Sequence, residues 1–304
     1  MKILAMCVAA LFALMGAVCA QDVNLLAVGN SFSWSAGDYL PRVVQSVPGC
    51  TLVFEHASIG GCPLKKHWEL AEKSEADPEF KPYSDKSGKY SLKEKLQSRK
   101  WDFITMQQAS GDSWQAGTFD PYAEKLYNYI KKYAPQAEVV IQQTWAYRGD
   151  EPRLKKWGID QQEMFTKLTE NYVNMAKKLN CRVLPVGNAV QLARETQKDK
   201  YLPYDPEAVK KLEHPAAFPD KKGSFVGGLN WWQDKKDGGK WKQGLDAYHL
   251  NNRGKYLQAC VWFAILYGKP TAEIKFVPKE VAPEDAAFLR ETAQKAVDGW
   301  KQVK

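Results

Sequence analysis

Cysteine and histidine are scarce in this chain of 304 residues, which holds six of the first and four of the second. The sequence contains no CxxC pair and no HExxH segment, so the usual spacing of zinc ligands is missing. A calcium loop is not expected either, because Asp234–Gly238 (DKKDG) lacks alternating acidic ligands. We therefore predict no metal and no other cofactor.

Long apolar runs are also rare, and the longest one, Ile3–Val18, lies at the amino terminus directly after Lys2. A positive residue, a short apolar stretch and small residues before a cut are the features of a secretory signal peptide. The run is too short for a membrane span, which needs about 20 apolar residues. We predict cleavage after Ala20, export to the periplasm or out of the cell, and no transmembrane anchor in the mature chain. Lipid attachment at Cys19 is the alternative.

The net charge of +8 is not gathered into a long basic block. The excess lysines occur in short pairs along the chain: Lys65-Lys66, Lys131-Lys132, Lys177-Lys178 and Lys235-Lys236. Such pairs are typical of a solvated surface that attracts acidic polymers only weakly. Because no nucleic-acid-binding motif is present either, we expect no nucleic-acid partner.

Four cysteines remain after the predicted leader: Cys50, Cys62, Cys181 and Cys260. Export permits disulfide bonds, but Cys50 and Cys62 flank a predicted strand. The ends of an extended strand lie much further apart than the roughly 6 Å that separates the Cα atoms of a disulfide. Buried free thiols are therefore the expectation for most of these residues.

Short apolar runs alternate with longer segments of helical spacing. The runs are Val23–Val28, Thr51–His56, Asp102–Met106, Glu138–Gln142 and Arg182–Val186; the helical segments are Asp38–Val47, Ser91–Arg99, Pro121–Tyr133 and Gln161–Leu179. Continuous apolar strands separated by helices predict a parallel sheet covered on both faces. The predicted fold class is α/β, a three-layer α/β/α sandwich of about five strands. We expect one domain over residues 21–304, with inserted loops at about 68–90 and 196–245.

Sites in such sheets lie beyond the carboxyl ends of the strands. Ser31 follows the first strand there, after Gly29, which allows a tight turn. A serine at this place, taken alone, is typical of a turn or a helix cap. Far downstream, Asp246 stands three residues before His249, ahead of an amphipathic helix over Lys255–Tyr267. A carboxylate at that spacing can orient an imidazole as the general base of a serine nucleophile.

Gly29-Asn30-Ser31 resembles the Gly-Asp-Ser block of the SGNH (GDSL-like) hydrolases, and Asp246-x-x-His249 is similar to their last block. The resemblance covers the chain from about Val23 to Tyr267. It implies a flavodoxin-like α/β/α fold and a secreted serine esterase. In such an enzyme Ser31 is the nucleophile, and Asp246 and His249 complete the triad.

The same resemblance implies an oxyanion hole of three donors. The first two are the backbone N–H groups of Ser31 and Gly60, with Gly61 as the alternative to Gly60. The third donor in the family is an asparagine side chain in a Gly-x-Asn-Asp block, from which this sequence departs. Gln107-Gln108 follows the third strand instead, and some carbohydrate-acetylesterase branches are similar, with glutamine at this point. We assign Gln107 to the role, with Gln108 second.

Tryptophan is abundant, with 11 residues, and core packing accounts for many of them. Trp145 and Tyr147 at the fourth strand exit, and Trp231 and Trp232 in a glycine-rich segment, are expected to form sugar-stacking walls or a lid. Together with Gln108, these are the predicted substrate-binding residues. The pattern favours a short-chain, O-acetyl ester on carbohydrate as the substrate. The alternatives are a lipase or thioesterase of the same fold and a non-catalytic glycan-binding relative.

Overall fold

A five-stranded parallel sheet forms the centre of the protein, for which a computed structural model describes residues 21–301. Its strands are β1 (Gln21–Gly29), β2 (Cys50–Ser58), β3 (Phe103–Met106), β4 (Glu138–Gln142) and β5 (Arg182–Leu184). They lie in the order β2-β1-β3-β4-β5, and every neighbouring pair is parallel. This is a flavodoxin-like order, in which the chain reverses direction across the sheet beside β1. The predicted signal peptide lies outside the described residues.

Helices cover both faces of the sheet. Their bounds are α1 Ser31–Gly37, α2 Leu40–Gln45, α3 Leu64–Ala76, α4 Leu92–Gln97, α5 Tyr122–Tyr133, α6 Pro152–Trp157, α7 Gln161–Leu179, α8 Val186–Thr196, α9 Pro206–Lys210, α10 Asn252–Tyr267 and α11 Pro283–Lys301. On one side α3 packs with α4 and α5, and α5 with α7; on the other side α10 packs with α1, α2, α8 and α11. The predicted fold class, a three-layer α/β/α sandwich, is therefore confirmed.

Helix α10 is the most deeply buried helix of its layer. The segment from Tyr256 to Phe263 is buried on all sides, which includes Trp262 at 0% exposure. A helix that is apolar all round belongs in the interior rather than on the surface. Asn251 caps it by accepting a hydrogen bond from Gly254 N–H at 3.1 Å. The helix begins at Asn252, three residues earlier than its apolar pattern predicted, because of this cap.

Two antiparallel hairpins lie outside the central sheet. The first joins Tyr83–Asp85 to Gly88–Tyr90, and the second joins Leu229–Asp234 to Lys240–Leu245. The stretch expected as a loop at 68–90 is in part helical, because α3 continues to Ala76. Within residues 21–301 no helix is both long enough and apolar enough to cross a membrane.

The thiols of all four cysteines in the described part of the chain are free. Cys50, Cys62 and Cys260 are buried, and Cys181 is partly buried. Burial raises the pKa of the Cys62 and Cys260 thiols to about 12. These thiols are therefore protonated and unreactive at neutral pH, and the prediction of buried free thiols is confirmed for three of the four residues.

Candidate active site

Ser31, His249 and Asp246 lie in one hydrogen-bonded line at the carboxyl edge of the sheet. Ser31 Oγ is 2.9 Å from His249 Nε2, and Nδ1 of the same ring is 3.2 Å from Asp246 Oδ2. When Nδ1 carries the proton and donates it to the carboxylate, Nε2 accepts from the serine hydroxyl. The three groups can then move a proton from Ser31 to His249.

The loop that carries Asp246 and His249 is held by a short antiparallel contact with residues 225–228. Gly227 N–H donates to His249 O at 2.9 Å, and Asp246 N–H donates to Gly228 O at 3.0 Å. Val226 and Leu250 form an isolated bridge between the same two segments. Part of the long insertion between α8 and α10 therefore fixes the position of both catalytic candidates.

Arg148 and Trp145, which follow β4 and are buried, donate hydrogen bonds to the same loop and to the segment paired with it. The backbone N–H of Arg148 donates to Ala247 O at 2.9 Å, and its Nη1 donates to Gly227 O at 2.9 Å. Trp145 Nε1 donates to Tyr248 O at 2.6 Å. Because these bonds reach the two residues before His249 and the paired Gly227, they limit how far the imidazole can move from Ser31.

The Asp246 carboxylate is suited to support a positive imidazole. Partial burial alone raises the pKa of this carboxyl, but hydrogen bonds from the His249 ring and backbone N–H outweigh it, so the pKa lies below its ordinary value. The His249 N–H donates to Asp246 Oδ1 at 2.9 Å, and a bond to an ionised acceptor stabilises the charged form. Asp246 is therefore ionised at neutral pH and can compensate the charge that His249 gains when it takes a proton.

The exits of β1 and β2 are joined by a hydrogen bond from Ile59 N–H to Gly29 O at 3.1 Å. A turn follows, closed by Cys62 N–H on Ile59 O at 3.2 Å, with Gly61 at a φ of +64°. A side chain at that φ is strained, which explains glycine there. Gly60 lies in this turn and is exposed. Its role as an oxyanion donor stays a prediction.

Asn30 links three parts of the site, a role that the sequence analysis missed. Its Oδ1 accepts from Phe32 N–H at 3.1 Å and so caps α1, and its Nδ2 donates to Cys62 O at 3.1 Å. The same Oδ1 accepts from Gln107 Nε2 at 2.8 Å. An asparagine directly before a helix is a preferred N-cap residue, and that position was the signal available in the sequence.

Gln107 is buried, and one of its two amide hydrogens is engaged by Asn30. Its Oε1 has no hydrogen-bond partner among the described residues. The second amide hydrogen is not engaged by Asn30, so the assignment of Gln107 to an oxyanion hole stays a prediction. What the geometry establishes is that Gln107 positions Asn30, and through it the first turn of α1.

Three of the predicted substrate-binding residues are fully buried, and for these the prediction is wrong. Gln108 accepts from Leu64 N–H and donates to Thr118 O, so its amide is used by the backbone. Trp145 is 0% exposed and stacks on Phe32 at 4.1 Å between ring centroids. Tyr147 is also buried, with its hydroxyl 2.8 Å from Ser110 Oγ. Polar and aromatic residues at strand exits can thus serve as the floor of a site rather than its wall.

Trp231 and Trp232 lie on the first strand of the second hairpin, and they differ in exposure. Trp231 donates from Nε1 to Ala216 O at 2.8 Å and packs against Phe218, so it holds the insertion together. Trp232 is 44% exposed, as is Trp241 on the paired strand. Alternation along a strand sends neighbouring side chains to opposite faces, and a sugar-binding role stays a prediction for Trp232.

Trp34 is an exposed aromatic residue close to the serine, and the sequence analysis gave it no role. It lies in α1 three residues after Ser31, with 45% of its surface exposed. Residues three apart lie on the same side of a helix, so Trp34 lies one turn along α1 on the same side as Ser31. A large aromatic surface at that place can contact the group whose ester is cleaved.

Acidification is expected to destabilise the protein through His67. This ring is fully buried, with Nε2 3.0 Å from Gly29 O and Nδ1 2.8 Å from Tyr83 Oη. Burial lowers its pKa from 6.5 to about 4, so below pH 6.5 the unfolded chain binds a proton that the folded chain refuses. The stabilisation is complete above pH 6.5 and falls by about 2–3 kcal/mol on the way to pH 4.5.

Urea unfolding of the wild type and of His67→Gln at pH 7.5 and pH 4.5 measures this effect. The variant is expected to lose less free energy of unfolding between the two pH values than the wild type. His56, whose pKa burial also lowers to about 4, is present in both proteins and does not affect the difference. An equal loss in both proteins would contradict the role given to His67.

A methyl group at Gly227 is expected to displace Asp246. A Cβ there would lie 2.8 Å from Asp246 O and 3.0 Å from its Cβ, distances that the backbone must relieve by moving. We expect Gly227→Ala to lower the kcat/KM of any reaction that uses Asp246 and His249 by about 10- to 100-fold, since small displacements of catalytic groups have effects of this size. Gly228→Ala is the control, because its Cβ would meet the flexible Lys221 side chain. Equal activity of the two variants would contradict the prediction.

Comparison with known proteins identifies a family of undescribed activity. The family model described as "Domain of unknown function (DUF4886)" matches residues 24–205, which include Ser31 but not Asp246 or His249. No curated protein matches the chain.

Solved structures with a related fold were also found. A DUF4886 family protein from Bacteroides uniformis is similar with a TM-score of 0.69 and 23% identity, over 91% of this chain and 95% of that one. An acetylxylan esterase from Geobacillus stearothermophilus has a TM-score of 0.42 and 13% identity, over 84% of this chain and 95% of that one. A lipase/acylhydrolase from Enterococcus faecalis has a TM-score of 0.45 and 11% identity, over 81% and 96%. The first likeness shows that the fold is shared across nearly the whole of both chains.

Proposed function

This chain belongs to the DUF4886 family, and we propose that it is an exported serine esterase that removes short acyl groups, above all acetyl, from carbohydrate. The observation that carries the proposal is the line from Ser31 Oγ through His249 to Asp246, with distances of 2.9 and 3.2 Å. A serine that serves only as a helix cap has no need of an imidazole oriented by a carboxylate.

In the proposed reaction, His249 takes the proton of the Ser31 hydroxyl while Ser31 Oγ attacks the carbonyl carbon of the ester. The C–O bond to the sugar then breaks, and His249 returns the proton to the leaving alcohol. The acyl group stays on Ser31 as an ester. Water, deprotonated by His249 in the same way, attacks this ester, and the acid leaves with Ser31 protonated again.

The negative oxygen of each tetrahedral intermediate needs hydrogen-bond donors. Ser31 is the first residue of α1, and the first N–H groups of a helix have no partner within it. We assign this N–H, the N–H of Gly60 and the free amide hydrogen of Gln107 to that role. One such donor contributes about 3–4 kcal/mol to transition-state stabilisation.

The preference for a carbohydrate ester rests on the exposed aromatic side chains. Trp34 lies one turn along α1 from the proposed nucleophile and is 45% exposed, and Trp232 is 44% exposed on the second hairpin. Flat aromatic surfaces that stay exposed are suited to contact with sugar rings, whereas a long acyl chain needs a continuous apolar channel. The predicted export, which rests on the residues before Gln21, agrees with a polymeric substrate outside the cell.

A test of the proposal combines three substrates with one active-site label. Purified residues 21–304 are incubated with p-nitrophenyl acetate, p-nitrophenyl octanoate and acetylated xylan, and fluorophosphonate labelling is followed by peptide mass analysis. We expect faster hydrolysis of the acetate than of the octanoate, release of acetate from xylan, and the label on Ser31. Faster hydrolysis of the octanoate would instead indicate a lipase or thioesterase. An absence of hydrolysis together with an absence of labelling would overturn the proposal in favour of a binding protein.

Trp34→Ala separates the substrate class from the chemistry. The variant is expected to raise KM for acetylated xylan several-fold and to leave hydrolysis of p-nitrophenyl acetate near the wild-type rate, because the small ester does not reach the indole. Trp241→Ala is the matched control for loss of an exposed indole. An unchanged KM for xylan in Trp34→Ala would contradict a carbohydrate contact at this residue.

A further inference from the structure

A cavity that is lined by none of Ser31, Asp246 and His249 lies between the β4 exit, the end of α8 and the insertion that follows it. Its volume is about 290 Å³, enough for a single sugar acid or a phosphate with its hydration water. Among the side chains that line it are Arg148, Asp150, Arg194, Lys200 and Tyr201. Three cations and one carboxylate thus face the same space, which gives the cavity a positive balance.

The single carboxylate is already used by Arg148. Arg148 Nε lies 2.6 Å from Asp150 Oδ1, and Nη2 lies 2.9 Å from Oδ2, so the pair is bidentate. Tyr201 Oη donates to the same Oδ2 at 3.1 Å. Because both carboxylate oxygens are occupied, Asp150 neutralises Arg148 and leaves no oxygen for a second guanidinium.

Arg194 is that second guanidinium, and it has no acidic partner among the described residues. Its Nη1 donates to Ala146 O at 3.0 Å, whereas Nη2 is buried and has no hydrogen-bond partner in the described part of the chain. Burial and the nearby Arg148 lower the pKa of Arg194 to about 10, so the group still carries its charge at neutral pH. A buried charge without a partner is unfavourable, and this cavity is where a partner can enter.

We propose that this cavity binds a small oxyanion, a carboxylate or a phosphoryl group, through the guanidinium of Arg194. A guanidinium presents a planar set of donors that matches two oxygens of such a group. Lys200 lies at the rim, where its Nζ donates to the backbone oxygen of Arg194 at 3.1 Å, and it adds positive charge at the entrance. The site is distinct from Ser31 and does not depend on the proposed esterase activity.

The position of the cavity connects it to the loop of the candidate triad. Arg148 lines the cavity on one side, and on the other it donates to Gly227 O and, from its backbone, to Ala247 O. Ser224, which also lines the cavity, accepts from Arg148 Nη1 at 3.0 Å. An anion that binds here therefore stabilises the folded insertion that holds Asp246 and His249.

Isothermal titration calorimetry with sodium phosphate and with sodium glucuronate, each against sodium chloride at equal ionic strength, tests the proposal. We expect one site per chain for at least one of the two anions. Phosphate binding alone identifies phosphoryl groups as the ligand, and glucuronate binding alone identifies carboxylates. An absence of binding by both anions overturns the proposal.

Arg194→Gln is expected to weaken the binding at least ten-fold, and Arg99→Gln, which removes a surface guanidinium from the residues before β3, is expected to leave it unchanged. Ser31→Ala is also expected to bind the anion normally, which separates this site from the esterase proposal. Arg194→Lys keeps the positive charge in the cavity but removes the guanidinium, so the assignment can still be tested if Arg194→Gln fails to fold. Wild-type affinity in both Arg194 variants would place the anion elsewhere and overturn the assignment.

Discussion

Ser31→Ala is expected to lower kcat/KM for p-nitrophenyl acetate by about 10⁴-fold or more, with no loss of folded structure. The hydroxyl is partly exposed, and its hydrogen bond is with the His249 ring at 2.9 Å. Its removal therefore eliminates the attacking atom and empties no core position. Initial rates with the small ester and a circular dichroism spectrum of the same sample measure the two effects.

His249→Ala is expected to lower the same rate by a similar factor, because the hydroxyl is a weak nucleophile without its base. The double variant is expected to be no slower than either single variant, since residues that act as one unit do not have additive effects. Two smaller, additive losses would contradict the proposed unit and indicate separate binding roles.

Two control variants remove the same chemical groups from other places. Ser84→Ala removes an exposed serine hydroxyl from the first hairpin, and His214→Ala removes an exposed imidazole that stacks on Trp241. Both are expected to keep wild-type rates. Full activity of Ser31→Ala, with a normal spectrum, would overturn the serine mechanism.

The sequence was sufficient to predict the sheet and to select Ser31, Asp246 and His249 as candidates, because both predictions depend on local patterns. Strand runs of apolar residues and an Asp three residues before a His are visible without knowledge of the fold. The ends of elements were less accurate. The run predicted to reach Val186 ends at Leu184 in the structure, since Pro185 has no N–H to donate to the sheet.

The substrate-binding predictions failed where burial decided the role. Trp145, Tyr147 and Gln108 stand at strand exits, as binding residues do, but each is covered by elements distant in sequence. Trp145 is covered by α1 and the His249 loop, through Phe32 and Tyr248. Hydrophobic periodicity and composition do not show which strand exits are covered by other parts of the chain. Only the three-dimensional structure therefore separates the buried residues beneath the site from those that a substrate can contact.

Asp150→Ala is expected to lower the free energy of unfolding by about 3–5 kcal/mol, the typical effect of breaking a buried ion pair by removal of one partner. The Arg148 side chain is 5% exposed and the Asp150 side chain 14% exposed. The variant leaves Arg148 charged, buried and close to Arg194, which pairs with no carboxylate in the described part of the chain. Urea unfolding at pH 7.5 measures the change.

Asp150→Asn separates the charge from the shape of the side chain. The amide keeps one acceptor oxygen for Arg148 but turns an N–H towards the other donor, so we expect it to be nearly as destabilising as alanine. Asp237→Ala, which breaks an exposed ion pair with Lys240 on the second hairpin, is expected to leave the midpoint of the unfolding curve almost unchanged. Wild-type stability of Asp150→Ala would show that the pair contributes nothing.

Asp150→Ala is also expected to lower kcat in the fraction of the protein that remains folded. The Arg148 guanidinium donates to Gly227 O, in the segment that pairs with the loop of Asp246 and His249, and it can hold that segment only while Asp150 fixes it. A loss of stability with an unchanged kcat would limit Arg148 to the fold. A loss of both, with KM unchanged, is the result expected if the charged pair beneath the loop positions the base that acts on Ser31.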